Sequence, residues 1–276
     1  MSNAPIVLVT GSTDGIGRET ARLLVQQGAR VVAHGRSAEK AAAVARELEG
    51  LAARPMPAPV VGDLASLAAV RAMADELLAR DEPLDVLLNN AGVYVRERRL
   101  TVDGLETTMA VNHFAPFLLT HRLLPALRRA AAPRIVNVSS IAHTRGRIDL
   151  DDLQLARSFG HYEAYAASKL ANVLFTVELA ERLGGAITVN ALHPGVVSTK
   201  LLTEGFRMQG YDSTTKASQT SVFCALSPEL AKVTGQYFAD RRIAPRNPVV
   251  GDAALRRGLY ERSCALTGVD PLPVPG

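Results

Sequence analysis

The stretch Val9-Thr10-Gly11-Ser12-Thr13-Asp14-Gly15-Ile16-Gly17-Arg18 joins an apolar run to a helix-forming segment through three glycines. The run before it, Pro5-Ile6-Val7-Leu8-Val9, is typical of a buried parallel strand, and residues 19–27 favour a helix. A helix that starts near Gly15 would aim backbone N–H groups and its positive end at an anion. A Cβ at any of the three glycines would forbid the turn, block a pyrophosphate or hold the helix off the strand. The stretch therefore predicts a nucleotide-phosphate site after the first strand.

The rest of the chain alternates strand-like and helix-like segments. Its 276 residues and 47% hydrophobic content are enough for a large buried core. A proline cluster at residues 55–59 is followed directly by a strand-like run, so we interpret it as a loop. We expect a long helix at about 101–131, a strand at 235–238 and a helix at 249–266. The fold class is α/β: a single Rossmann-type domain over residues 1–276, with a doubly wound parallel sheet of about seven strands flanked by helices.

Composition and charge argue against several classes of protein. The formal net charge is +4, but the basic residues are scattered and form no basic face with interleaved aromatics, so we expect no nucleic-acid partner. The N-terminus lacks a secretory signal, and no apolar stretch reaches the roughly 18 to 20 residues that span a bilayer. We therefore expect a cytoplasmic protein without a membrane anchor. Cys224 and Cys264 lack metal-ligand spacing, so we expect packing thiols and no metal site.

The end of the second strand-like run, residues 29–34, bears on the choice of cofactor. In dinucleotide-binding folds an acidic residue here bonds the ribose hydroxyls of NAD, whereas an arginine accommodates the 2′-phosphate of NADP. The sequence has Gly35-Arg36 at this place, without a carboxylate. Arg18, just after the glycine turn, is a candidate second phosphate ligand. We therefore expect NADP(H) to be preferred over NAD(H); the alternative is that both arginines are ordinary surface residues.

Two further segments carry groups that can move protons. Arg134-Ile135-Val136-Asn137-Val138-Ser139-Ser140 predicts a strand that ends in hydroxyls, and ligands bind at the carboxyl ends of parallel strands. Tyr165 and Lys169 lie four residues apart in a helix-forming stretch, so they share one helix face. A nearby ammonium favours the phenolate and would bring the tyrosine pKa, about 10, toward neutrality. The alternative is an exposed pair on a helix surface.

Together these motifs resemble the short-chain dehydrogenase/reductase family. The resemblance rests on the G-x-x-x-G-x-G spacing, on Asn89-Asn90-Ala91-Gly92 after the fourth strand-like run, and on Ser140 with the tyrosine and lysine pair. It implies that Ser140 polarises a substrate carbonyl and that Tyr165 transfers the proton. It also implies that Lys169 lowers the pKa of Tyr165 and holds the nicotinamide ribose, and that Asn90, Ala91 and Gly92 line the adenosine side of the cofactor.

The same resemblance gives roles to three other residues. It implies that Asn112 belongs to a water-holding relay to Lys169, and that Asp63 and Leu64 contact the adenine. Each assignment has an alternative from the residues alone. Asn112 is also suited to a hydrogen bond between helices, and Asp63 to capping the helix predicted at residues 65–79.

A third segment, His193-Pro194-Gly195-Val196-Val197-Ser198-Thr199, follows a sixth strand predicted at residues 186–192. The resemblance implies that the backbone at Val196 holds the nicotinamide carboxamide and that Thr199 reaches a phosphate. The alternative is a simple break between strand and loop. Residues of about 198–215 include several apolar side chains, which predict a mobile lid over an apolar substrate or, alternatively, a surface helix that covers core.

One departure from most of the family is informative. The separation between Ser140 and Tyr165 is long, with extra residues at about 144–164. Together with Ser140-Ile141-Ala142-His143 and the segment that begins at His193, this insertion resembles the retinol-dehydrogenase-like branch of the family.

The predicted function is an NADP(H)-dependent oxidoreductase that transfers hydride between nicotinamide and a lipophilic aldehyde or ketone, or its alcohol, with a tyrosine as general acid/base. The alternatives are a non-catalytic NAD(P)-sensing binding protein, or an epimerase or dehydratase on the same fold. Association into a homo-oligomer is left open. The predicted catalytic residues are Asn112, Ser140, Tyr165 and Lys169, of which Ser140 and Tyr165 also contact the substrate. The predicted cofactor-binding residues are Gly11, Ser12, Thr13, Asp14, Gly15, Ile16, Gly17, Arg18, Arg36, Asp63, Leu64, Asn90, Ala91, Gly92, Tyr165, Lys169, Pro194, Gly195, Val196 and Thr199.

Overall fold

A single eight-stranded sheet runs through the computed structural model, which describes residues 4–274. The strand order is β3-β2-β1-β4-β5-β6-β7-β8, and all neighbours pair in parallel except β7 and β8. The order reverses between β1 and β4, as in a doubly wound sheet. The strands are β1 (Ile6–Val9), β2 (Arg30–Gly35), β3 (Val60–Val61), β4 (Val86–Asn89), β5 (Arg134–Val138), β6 (Thr188–His193), β7 (Tyr237–Ala239) and β8 (Arg242–Ile243).

Eight α-helices are described on and beside this sheet. They are α1 (Gly15–Gln26), α2 (Ala38–Leu51), α3 (Leu67–Ala79), α4 (Thr107–Met109), α5 (Ala115–Leu127), α6 (His161–Leu183), α7 (Thr214–Leu226) and α8 (Ala253–Thr267). Helices α1, α2 and α7 pack on one face of the sheet, and α3, α5 and α6 pack on the other. Alternate residues of β1 serve the two faces, because Ile6 and Leu8 join one core and Val7 and Val9 the other. The predicted fold class is confirmed.

The strand count differs slightly from the expected seven. After β7 the chain turns back at Asp240 and Arg241, both with positive φ, and Arg242–Ile243 pairs antiparallel with β7. This short edge strand carries no alternating apolar pattern. The strand expected at 235–238 is shifted by two residues at its start, since β7 begins at Tyr237.

The long helix expected at residues 101–131 is broken. Glu106 caps α4, because its carboxylate accepts hydrogen bonds from the N–H groups of Thr108 and Met109. A wider π-helical turn, Ala110–Phe114, then separates α4 from α5. Similarly, Asp252 caps α8 in the segment expected to be helical from residue 249, so a 3-10 turn, Pro248–Gly251, precedes that helix.

Several local signals act as expected. Ser37 caps α2, and Gly28 ends the turn after α1 with a positive φ. Asp63 is not the cap of α3, because that role belongs to Ser66.

Cys224 and Cys264 are both free and buried, in the cores on opposite faces of the sheet. Across residues 4–274, the helices are too short or too polar to traverse a bilayer.

Candidate active site

The carboxyl ends of the parallel strands open into a cavity of about 900 Å³. It extends from the glycine turn after β1 to the segment that follows β6. Most of the residues predicted from the sequence lie on its wall: Gly11, Thr13, Asp14, Gly15, Ile16, Gly17, Arg36, Asp63, Leu64, Asn90, Ala91, Gly92, Ser140, Tyr165, Lys169, Pro194, Gly195, Val196 and Thr199. Ser12, Arg18 and Asn112 do not line the cavity, and each has other partners.

The glycine turn is packed too tightly for side chains. A Cβ at Gly17 would overlap the carbonyl oxygen of Gly11, and a Cβ at Gly11, where φ is +66°, would lie 2.9 Å from Cα of Ala91. Asn90 fastens the turn, because its Nδ2 donates to the carbonyl oxygen of Thr10 at 2.8 Å. The first turn of α1 therefore lies directly against the cavity, with N–H groups that have no acceptor inside the helix. Asp14 caps this helix by accepting from the N–H of Gly15.

His34, near the end of β2, holds the glycine turn through hydrogen bonds. It is not among the site residues predicted from the sequence. Its Nδ1 accepts from the N–H of Gly11 at 3.0 Å, so Nε2 carries the proton that it shares with the carbonyl oxygen of Gly62 at 3.1 Å. Burial lowers the pKa of His34, which keeps the ring neutral and able to make both bonds. Ser12 is also buried, and it bonds to the backbone of His34. The feature of the sequence that could have indicated this role is the histidine directly before Gly35.

The two arginines proposed for cofactor selection lie in different surroundings. Arg36 lies on the cavity wall beyond the end of β2. Arg18 instead donates through Nε and Nη2 to Oε2 of Glu47 on α2, at 2.8 and 2.5 Å. The structure thus places Arg36 at the cavity wall and pairs the guanidinium of Arg18 with a surface carboxylate.

Ser140, Tyr165 and Lys169 come together on the opposite side of the cavity from Arg36. Ser140 follows β5 and caps a 3-10 turn, Ile141–Arg145, by accepting from the N–H of Ala142. The Ser140 hydroxyl lies close enough to the Tyr165 phenol to lower its pKa, and both residues line the cavity. Lys169, one helical turn further along α6, donates from Nζ to the carbonyl oxygen of Val138 at 3.0 Å. Its Nζ is 5.6 Å from the centre of the Tyr165 ring.

The pKa of Tyr165 differs from the value expected for a tyrosine beside a lysine. Burial raises the pKa of Tyr165 to about 12, against the opposing effect of the nearby Ser140 hydroxyl. Burial also lowers the pKa of Lys169 to about 8. The expected lowering of the Tyr165 pKa by Lys169 is therefore wrong for this structure. Tyr165 is 6% exposed and Lys169 is 3% exposed, so the loss of hydration of the charged form dominates both pKa values.

Asn112 lies behind this group rather than on the cavity wall. Its Oδ1 accepts from the N–H of Val93 at 2.8 Å, and its Nδ2 donates to the carbonyl oxygen of Val93 and to Oγ of Ser168. The side chain therefore ties the π-helical turn to α6 and to the loop after β4. This is the bond between helices that the sequence left as an alternative.

The loop after β6 closes the cavity on the side of the glycine turn. The methyl group of Thr199 would lie 3.0 Å from a Cβ at Gly15, and Nζ of Lys200 is 2.8 Å from Oδ2 of Asp14. Val196 has both backbone groups engaged: its N–H donates to Oδ2 of Asp212, and its carbonyl oxygen accepts from two N–H groups at 3.0 Å. A cofactor amide bound there would have to share or displace these bonds.

An apolar segment covers the cavity beside Tyr165. Leu201–Phe206 forms a π-helical turn where the sequence pattern was irregular. The ring of Phe206 lies 3.9 Å from that of Tyr94 and meets the Tyr165 ring edge-on at 5.1 Å between centres. Tyr94 is held in turn by a 2.5 Å hydrogen bond to Nδ1 of His161. No periodic pattern in the sequence marks Tyr94, which lies in an irregular loop.

The described residues include no group of acidic, histidine or cysteine side chains arranged to hold a metal ion. The arrangement instead brings together an anion-binding helix terminus, an apolar wall and a hydroxyl pair. A proton could pass between the phenol of Tyr165 and an oxygen atom placed beside Ser140.

Comparison with known proteins adds to this geometry. The model of a family described as short chain dehydrogenase matches residues 5–210. Retinol dehydrogenase 12 of Bos taurus is 39% identical over 273 residues, which cover 96% of this chain and 86% of that protein. An uncharacterized protein from Mycobacterium paratuberculosis has a crystal structure with a TM-score of 0.79 and 33% identity, covering 98% of this chain and 95% of the other. A short chain dehydrogenase from Shigella flexneri complexed with NADP has a TM-score of 0.73 and 27% identity, covering 87% and 98%.

Proposed function

Because this chain belongs to the short-chain dehydrogenase family, in a retinol-dehydrogenase-like branch, we propose that it transfers hydride between NADP(H) and a lipophilic aldehyde or ketone, or its alcohol. Oxidoreduction of alcohols and carbonyls is the family's chemistry. The observation that carries the finer proposal is that Ser140, Tyr165 and Lys169 share one cavity with the glycine turn of α1.

The residues on the wall fit a dinucleotide. The turn at Gly11 and Gly17 has no room for a Cβ, and the first turn of α1 offers N–H groups and a positive helix end to a pyrophosphate. The cavity, at about 900 Å³, is at the upper end of the range for ligand sites. Asp63, Leu64 and the residues after β4 would hold the adenosine half. A bound nicotinamide would supply or take up the hydride.

Arg36 supports a preference for NADP(H). It lies on the cavity wall at the end of β2, where a carboxylate would favour NAD. Arg18 is the proposed second ligand of the 2′-phosphate, and to serve it would have to leave Glu47. The related Shigella flexneri dehydrogenase binds NADP, which agrees with this choice.

The proposed proton transfer uses the hydroxyl pair. Ser140 would donate a hydrogen bond to the carbonyl oxygen of the substrate, and Tyr165 would protonate that oxygen as hydride arrives. With its pKa raised to about 12 by burial, the Tyr165 phenol is protonated at neutral pH and ready to act as an acid. Lys169 would hold the cofactor ribose next to Tyr165, and the backbone of Val196 would hold the carboxamide after releasing Asp212.

The covering segment supports an apolar substrate. Leu201, Leu202 and Phe206 reach the cavity from the proposed lid at about 198–215, and Tyr162 reaches it from α6 at the end of the insertion at about 144–164. These side chains offer the substrate carbon and aromatic surface rather than charge. An alcohol or carbonyl compound with a substantial apolar body would bury that body there.

Initial rates of NADPH and NADH oxidation against a panel of apolar aldehydes and ketones test the proposal. We expect turnover with at least tenfold higher kcat/KM for NADPH than for NADH, from one charge-assisted hydrogen bond to the 2′-phosphate. Tight binding of NADPH with no turnover across the panel would contradict the proposal and favour a sensing protein. A product with a changed configuration and no net oxidation of NADPH would favour an epimerase.

A further inference from the structure

The carbonyl group of Ser140 is fixed by a residue that takes no part in the proposed proton transfer. His143, three residues further along the 3-10 turn, donates to the Ser140 carbonyl oxygen through its ring Nδ1 at 2.7 Å and through its backbone N–H at 3.1 Å. The imidazole is fully buried and packs 4.4 Å from the ring of Tyr237. Two donors from one residue thus set the orientation of the peptide that follows Ser140.

The partners of the ring determine its tautomer. Nε2 of His143 lies 3.3 Å from the backbone nitrogen of Asn247, and a backbone N–H can only donate. Nε2 must therefore be the acceptor, and the ring proton must be on Nδ1, where it reaches the carbonyl of Ser140. Burial lowers the pKa of His143, which favours this neutral ring. Asn247 thereby selects the tautomer that holds Ser140.

Asn247 also holds the turn through its side chain. Its Nδ2 lies 3.2 to 3.3 Å from the carbonyl oxygens of His143, Thr144 and Gly146, which close the turn. Its Oδ1 accepts from the N–H of Val249, so the asparagine is itself fixed by the 3-10 turn that precedes α8. One residue from the C-terminal part of the chain therefore spans the turn that carries Ser140.

The same turn is pressed against α6 beside Tyr165. A Cβ at Gly146 would overlap the carbonyl oxygen of Ala166, the residue that follows Tyr165. The turn is thus fixed at its start by His143, along its end by Asn247, and against the helix that carries the tyrosine. A displacement of about 1 Å between reacting groups can lower a rate by about a hundredfold, so such support has catalytic consequences.

We propose that His143 and Asn247 are positioning residues that hold the Ser140 hydroxyl against the Tyr165 phenol. This inference rests on the proposed function, in which Ser140 and Tyr165 act on the substrate oxygen. Neither His143 nor Asn247 touches the reacting atoms. They act through the backbone of Ser140, in the tautomer that the Asn247 N–H selects.

Two substitutions separate the two bonds of the imidazole. The side-chain amide of His143→Asn can place its nitrogen near the position of Nδ1, which keeps the donor to Ser140. The longer amide of His143→Gln reaches the position of Nε2, which keeps the acceptor for Asn247 and loses the bond to Ser140. We expect kcat for carbonyl reduction to stay within about threefold of wild type in His143→Asn and to fall by at least about tenfold in His143→Gln. The KM for NADPH should stay within about twofold in both variants, because the glycine turn is untouched.

The matched control is His121, a half-buried histidine whose Nδ1 bonds a carbonyl oxygen, that of Phe117, away from the cavity that holds Ser140. His121→Gln should lower the melting temperature without changing kcat. Ser140→Ala, measured alongside, separates the two proposals. Unchanged turnover in Ser140→Ala would refute the proposed function. A large loss there with equal kcat in the two His143 variants would refute only the positioning role.

The tautomer gives a readout that needs neither cofactor nor a stable variant. Nitrogen-15 NMR of the histidine rings in the wild-type protein should show the His143 ring neutral and protonated on Nδ1 at pH 7. A proton on Nε2 would overturn the proposal, because Nδ1 could then not donate to Ser140.

Discussion

Replacing Lys169 by methionine should abolish turnover and make the protein harder to unfold at neutral pH. The lysine is 3% exposed, and its ammonium donates to the carbonyl oxygen of Val138. Burial lowers its pKa from 10.5 to about 8, so the charged form is held in surroundings that disfavour it. Methionine has a similar length and carries no charge. The residue thus serves the proposed chemistry at the expense of stability.

The size of the effect follows from the pKa. The lowering of the Lys169 pKa to about 8 corresponds to roughly 3 kcal/mol of unfavourable free energy for the charged form at pH 7. Methionine leaves the Val138 carbonyl without this donor, which costs about 1 kcal/mol, so the net gain is about 2 kcal/mol. Because the folded pKa lies below the unfolded one, the unfolded chain binds more protons between about pH 8 and pH 10.5. Wild-type stability should therefore rise with pH across this window, and the advantage of methionine should shrink.

Urea unfolding at pH 7 and pH 9.5 measures this directly. Lys169→Met should raise the free energy of unfolding by about 2 kcal/mol at pH 7 and by well under 1 kcal/mol at pH 9.5. Lys232→Met, at an exposed position, is the control and should show no such dependence on pH. A Lys169→Met protein less stable than wild type at pH 7, or one with the same gain at both pH values, would show that the reasoning about the buried ammonium is wrong.

Three further predictions concern the walls of the cavity. Arg36→Gln should raise the KM for NADPH at least tenfold and leave the KM for NADH unchanged. The control, Arg46→Gln at an exposed position, should alter neither value. Equal effects of Arg36→Gln on both cofactors would argue against binding of the 2′-phosphate by Arg36. In steady-state assays, Phe206→Ala should raise the KM for long apolar aldehydes by about tenfold and leave the KM for acetaldehyde unchanged. An equal rise in KM for both aldehydes would show that Phe206 does not contact the apolar body of the substrate. Lys200→Gln should speed NADPH release in stopped flow by at most about fivefold, because the ion pair with Asp14 is exposed. In 1 M salt the variant and the wild type should release NADPH at the same rate, and a change that persists in salt would exclude that pair as the cause.

The sheet and the glycine turn could be predicted from the sequence because local signals determine them. The apolar run before Gly11, the three glycines and the helix after them define one strand, one turn and one helix without help from distant residues. The cap at Ser37 and the stop at Gly28 are equally local. These signals, repeated along the chain, were sufficient for the fold class, which the structure and the family match confirm.

Other features depend on residues distant in the sequence and were not predictable. Whether Arg18 faces a phosphate or a carboxylate depends on Glu47, which α2 brings beside it. The pKa of Tyr165 depends on its burial, to which Phe206 contributes from a segment with no regular pattern. The spacing of Tyr165 and Lys169 correctly placed them on one face of α6, but it carried no information on how deeply that face is buried. The π-helical turn at Asn112 likewise has no signature in composition or period.

The most direct test of the central claim is the turnover of Tyr165→Phe with NADPH and the best aldehyde of the panel, together with the dissociation constant for NADPH. The substitution removes one hydroxyl and leaves the ring against Phe206. If Tyr165 supplies the proton, kcat should fall by about a hundredfold or more while NADPH affinity stays within about threefold. If the variant keeps more than a tenth of the wild-type kcat, Tyr165 is not the general acid, and the proposed mechanism is wrong.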